Sequence, residues 1–184
     1  MHIFKAGKEK KLDPTKYMMS VTDTKGNIVR VNDYFVEVCS YTKDELIGSP
    51  HNIVRHPDMP RAIFYLMWKY LKNGQNITAV VKNKTKEGGY YWFIADIEVR
   101  KDEQGNIERY MAFRQAAPKK IVKIIEPLYK ELLKIERRDG MKAAAKYFLD
   151  YATKEGGDYN GYIEKLKKRN RITLYFMEKI KKYL

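Results

Sequence analysis

The spacing of hydrophobic residues changes period along the chain, and each change marks a different kind of element. From Tyr17 to Asn32, apolar and polar residues alternate on either side of Lys25-Gly26-Asn27, which predicts two short strands joined by a turn. Residues 33–50 hold only short helical pieces. Thr42 with Glu45 has capping-box spacing, and Gly48 followed by Pro50 is a stop signal. Pro60 suits the first turn of a longer helix, in which Phe64, Met67, Trp68 and Leu71 fall at i, i+3, i+4 and i+7 before Asn73-Gly74 ends it. Three strand-like runs follow, "NITAVVKNKT", "YYWFIADIEVR" and "IERYMAFRQ", separated by the hairpin signals "KEGG" and "KDEQGN". The expected class is α+β, a five-stranded antiparallel sheet with short helices on one face.

After Pro118 the strand signal stops and helix formers take over. The expected organisation is a polar leader over 1–14, a sheet domain over 15–117 and a C-terminal helical extension over 118–184. Pro127 predicts a kink or a new helix start, while Gly140 and Gly156-Gly157 separate two later helices. In the last of these, Ile163, Leu166, Asn170, Thr173, Met177, Ile180 and Leu184 recur at spacings of three and four. Such a stripe suits a short coiled-coil seam or packing against the sheet.

Charge alters this picture little. The net charge is +14, and residues 119–184 carry 18 Lys/Arg against 9 Asp/Glu, so the excess leans towards the extension. Its densest run, Lys165 to Arg171, lies within a helical pattern beside Tyr162, Ile163 and Leu166, so a solvated helix face is expected and a nucleic-acid partner is disfavoured. The N-terminus lacks the apolar stretch of a signal peptide and no run is long enough to cross a membrane, so a cytoplasmic location is expected. The single cysteine, Cys39, excludes an intramolecular disulfide and a cysteine-rich zinc site.

Candidate chemistry gathers in "HNIVRHPDMP", residues 51–60, at the mouth of the apolar helix. His51, Arg55, His56 and Asp58 lack the further ligands that a metal site would want, since the other histidine is His2 in the leader. There is no G-x-S-x-G elbow, no Gly-rich phosphate loop and no carboxylate pair placed for glycoside chemistry. Two readings stay open on chemistry alone. Arginine, imidazole and carboxylate at a helix N-terminus suit the polar end of a ligand whose apolar body lies in the core; equally, Arg55 and Asp58 could pair while His56 caps a helix ending at Val54.

The order of elements and the residues together resemble a PAS domain of the flavin-binding, redox-sensing type found in aerotaxis receptors. The resemblance runs through Pro50, His51, Asn52, Val54 and the block Arg55-His56-Pro57-Asp58-Met59-Pro60. It continues in Met67-Trp68, Val81-Lys82-Asn83 and Tyr91-Trp92, with Asn32-Asp33 and Tyr41-Thr42 upstream and Glu126-Pro127-Leu128-Tyr129-Lys130 downstream. About residues 15 to 130 are covered. The resemblance implies a PAS fold that holds FAD non-covalently. Carried over by position, Arg55, His56 and Asp58 hold the cofactor, Asn32 and Asn83 face its polar groups, Trp92 lines the pocket, and Trp68 joins them as a cofactor-binding residue. One departure is Ile77, which stands where family members usually carry a tryptophan. The segment "GSPHNIVRHPDMP" also lacks the cysteine that blue-light PAS sensors need, so covalent photochemistry is disfavoured.

No kinase, cyclase or catalytic motif accompanies these residues, so a non-enzymatic role is expected: a sensor for redox state or energy taxis that contacts a separate chemoreceptor or transducer, with homodimerisation as an option. The alternatives are a cofactor-free PAS scaffold for protein association and a PAS sensor of another ligand such as haem.

Overall fold

A computed structural model describes residues 7–169. Two hairpin strands, β1 (Met18–Thr22) and β2 (Ile28–Val31), are followed by α1 (Asp33–Cys39), α2 (Lys43–Leu46), a 3-10 turn (His51–Val54) and α3 (Arg61–Lys72). The strands β3 (Ile77–Lys84), β4 (Tyr90–Lys101) and β5 (Ile107–Ala116) complete an antiparallel sheet of order β2-β1-β5-β4-β3. The expected α+β class and five-stranded sheet are those observed. Three helices follow: α4 (Lys119–Asp139), α5 (Met141–Gly156) and α6 (Tyr159–Arg169). Pro127 lies inside α4 and does not end it. Of the predicted terminal stripe, Ile163 and Leu166 are buried, while Asn170 to Leu184 lie outside the described residues.

Local signals position the short elements. Asn32 caps α1 by accepting from the Phe35 N–H, and Thr42 and Glu45 of α2 exchange both bonds of a capping box. In the leader, the Lys10 ammonium donates to the carbonyls of Glu37 (2.7 Å) and Val38 (3.0 Å) near the end of α1, where a cation complements the helix dipole.

Register sets two faces of the sheet. The pairs Asn83–Tyr91, Val81–Phe93, Ala95–Arg114, Ile97–Ala112 and Val99–Tyr110 put one row of side chains under the helices α1 to α3. The next residues along each strand point the other way, and that face is not left bare: α4 crosses it, with the Tyr129 ring 6.2 Å from that of Trp92. Ile121, Ile125, Leu132, Phe148 and Tyr159 thereby join the same buried core as the sheet.

The extension also closes the outer edge of β3, which would otherwise offer unpaired backbone groups to another strand. Asn160 accepts from Thr78 N (3.1 Å) and donates to Asn76 O (3.1 Å), and Tyr129 Oη donates to Val80 O (2.7 Å); further along the same edge, Met59, just before α3, accepts from Lys82 N through its Sδ (3.3 Å). Replacing Tyr129 with Phe leaves the buried Val80 carbonyl without this donor. A loss of about 1–3 kcal/mol is expected, read as a lower urea midpoint at unchanged slope.

Candidate functional site

The stripe Phe64, Met67, Trp68 and Leu71 does not close down on the sheet. It forms one wall of a cavity of about 500 Å³, within the range of small-molecule sites, and the opposite wall is the inner face of β3 to β5. Gly26, with φ of +90°, lets the β1–β2 turn close beside the Trp68 ring, since a Cβ there would lie 2.9 Å from it. Trp68 in turn meets Tyr110 edge to face at 5.5 Å.

Every charged side chain among the described lining residues is cationic: Lys25, Arg55, Arg61, Lys72 and Arg114. Arg114 is the unusual member. It rises from β5 into the interior at 4 % exposure, and no carboxylate among the described residues lies within ion-pair distance. Its neighbours are neutral: the rings of Phe35 (5.4 Å) and Phe93 (5.7 Å), the Ala112 carbonyl (3.2 Å) and His51 Nε2 (2.9 Å). Burial lowers the Arg114 pKa to about 10, which leaves the group charged at neutral pH.

This contact dictates the state of His51. A guanidinium only donates, so His51 Nε2 accepts and the ring proton sits on Nδ1. The Ser20 hydroxyl, 3.1 Å away, meets the same nitrogen. Burial, and then the charge of Arg114, push the His51 pKa down to about 3. The Asn83 amide adds a polar group of both signs on the cavity wall near the Tyr91 phenol, whose pKa burial raises.

Of the residues expected from sequence, Arg55, Trp68 and Asn83 meet at this cavity. Arg55 donates to Met59 O (2.9 Å) and lies over the Phe64 ring at 4.4 Å. The other four are placed elsewhere. Asn32 uses its amide to receive Met19 N (2.9 Å) and Phe35 N (3.1 Å) and to donate to Tyr17 O (2.9 Å), joining hairpin to helix. His56 is fully buried outside the cavity lining, its Nδ1 accepting from Asp58 N (3.1 Å) and its ring edge-on to Tyr90. Asp58 turns to solvent and pairs with Lys82 at 3.0 Å. Trp92 points to the opposite sheet face because strand side chains alternate, and it packs on Tyr129 and near Lys82. Thus His56 and Asp58 shape the corner that presents Arg55, and Trp92 forms the seat of the extension. Ile77 is buried opposite Ile97 and outside the cavity lining.

Arg114, Ser20, Phe93 and Tyr110 were missed from sequence, and His51 entered only as a member of the polar cluster. The available signal for Arg114 was its parity with Tyr110 and Ala112 on β5, which puts the charge on the strand face that those residues take.

The pattern of the family described as PAS fold matches residues 28–114, which hold β2 to β5 and most of the cavity lining. Residues 28–114 are a PAS domain. The chain is similar to the aerotaxis receptor of Escherichia coli K12, 46% identical over 115 residues, 62% of this chain and 22% of the receptor. It is also similar to the nitrogen fixation regulatory protein of Klebsiella oxytoca, 28% identical over 97 residues, 53% of this chain and 20% of that protein. The chain therefore spans about a fifth of the length of these relatives. Among solved structures, the light state of the blue-light photoreceptor Aureochrome1 LOV shares the fold with a TM-score of 0.53 at 20% identity, covering 58% of this chain and 86% of that one. Among the described residues no helix is long and apolar enough to cross a membrane.

The histidines of the PAS domain carry a testable pH dependence. His51 and His56, at about 3 and about 4, both lie below the ordinary 6.5, and His56 is lowered first by burial and then by Lys82. The unfolded chain therefore binds more protons below pH 6.5. Their stabilising effect is complete above that value and is lost as pH falls towards 4 and 3, with a slope of about 1.4 kcal/mol per pH unit for each group. Urea unfolding between about pH 7 and pH 5 is expected to show the decline, and His51→Asn to make it shallower.

Proposed function

We propose that the PAS domain binds FAD in this cavity, that the chain senses redox state for taxis, and that it signals through a separate transducer. The observation that carries the reading is the lining: flat apolar and aromatic walls whose only charges, among the described residues, are positive. A flavin nucleotide is a planar apolar ring with one electron-rich polar edge and a phosphate-bearing tail. Arg114, Asn83 and His51 suit the edge; Arg55, Arg61, Lys25 and Lys72 suit the tail. The sequence resemblance to aerotaxis receptors supports the same ligand, and the likeness to the Escherichia coli receptor supports a role in taxis.

Bound, the flavin supplies reversible electron exchange. The chain's own residues hold and read it. Arg114 stabilises negative charge on the polar edge, His51 orients the guanidinium as a neutral acceptor, and Asn83 turns its amide to donate or accept. The walls from Phe64, Trp68 and Phe93 exclude water, which strengthens each of these contacts. One altered charge-assisted hydrogen bond, about 1.5–3 kcal/mol, is enough for a partial shift between two conformations. The shift reaches the partner by protein contact, for which the basic extension is the candidate surface.

Protein purified in the dark and cold is expected to show oxidised-flavin absorption bands and to release FAD on heating. Arg114→Met is expected to weaken FAD binding at least about tenfold, in line with loss of one such bond. A haem spectrum in place of flavin, or no chromophore after incubation with FAD, would overturn the assignment; the second outcome would favour an association scaffold.

A further inference from the structure

Helix α3 supplies the cavity wall, yet it does not hold itself in place. Pro60 provides no cap, and the first-turn N–H of Ala62 instead donates to Glu136 Oε1 of α4 at 2.5 Å, 74 residues along the chain. That carboxylate also acts on Arg55, whose guanidinium shares the cavity mouth with Arg61. The other end of α3 is tied as well, since Tyr70 Oη donates to Asp158 Oδ2 (2.8 Å) at the start of α6. Between these two ties Gly140, with φ of +89°, ends α4 and turns the chain so that Met141 opens α5. Met141 is itself a lining residue of the cavity.

We propose that the α4–α5 corner is part of the ligand site, with Glu136 and Met141 as positioning residues, so that ligand and docked extension stabilise each other. This rests on the flavin reading above. Glu136 holds the helix N-terminus, and through it the register of Phe64, Met67 and Trp68 against the sheet; Met141 closes the wall beside them. A wall set in place before binding loses less freedom when the ligand arrives. By linkage, whatever tightens the ligand through the docked corner must tighten the corner through the ligand by the same factor. The extension thereby senses occupancy directly, without the sheet having to relay it.

The experiment is FAD titration of the full chain as wild type, Glu136→Ala, Glu136→Gln and Met141→Ala, with hydrogen exchange measured in α3 to α5 with and without FAD. Glu136→Ala is expected to raise the FAD dissociation constant about fivefold or more. Glu136→Gln keeps an oxygen for the Ala62 N–H and is expected to recover most of that loss. In wild type, FAD slows exchange in α4 and α5, and the slowing shrinks in Glu136→Ala. Met141→Ala, which leaves the Ala62 cap intact, also weakens FAD binding and covers the case in which Glu136→Ala fails to fold. Unchanged FAD affinity in the folded variants, with exchange in the extension indifferent to FAD, overturns the coupling while leaving the flavin site standing. A wild type that takes up no FAD overturns both.

Discussion

A guanidinium enclosed in an apolar interior with no carboxylate among the described residues to pair with it is costly, and Arg114 is such a group. Arginine is the side chain best able to occupy that position, because its charge is delocalised and weakly hydrated and its faces stack on aromatic rings. Phe35 and Phe93 supply those faces, and His51 and the Ala112 carbonyl receive two of its N–H groups. Much of the cavity follows from accommodating it. His51 is neutral with its proton on Nδ1, Ser20 is drawn to the same nitrogen, and the space in front of the guanidinium is electrically suited to an electron-rich ligand edge.

The sheet works on both faces, and β3 is where they meet. Val81 and Asn83 look into the cavity, whereas Val80 and Lys82 meet Tyr129 and the Met59 sulfur on the outer edge. Alternation along one strand thus places a cavity wall and a contact for the extension within a residue of each other. Helix α3 has the same double character: Phe64 and Trp68 face the cavity, while its N-terminus is held by Glu136. The cavity and the extension thus share two walls, β3 and α3.

Where structure depends on near neighbours, the sequence was readable. The Thr42–Glu45 capping box, the Gly26 turn and the stripe from Phe64 to Leu71 depend on residues within one or two turns of each other, and all three stand in the structure. The site was less legible because β4 and β5 are covered on both sides. Their sequences run apolar in both parities, so alternation could not say whether Trp92 or Phe93, Phe113 or Arg114, looked inward. The polar cluster at 55–58 read as one unit, but the turn there sends Arg55 to the cavity, buries His56 behind it and leaves Asp58 in solvent.

By itself the sequence determined the order and kind of the elements and the position of the main helix stripe, since these arise from local periods and from residue chemistry. Only the tertiary structure decided which face each strand residue takes, that Arg114 is the buried charge, and that the extension caps α3 through Glu136. Those outcomes depend on register and on contacts between residues as far apart as Ala62 and Glu136, and no short window of sequence contains both partners.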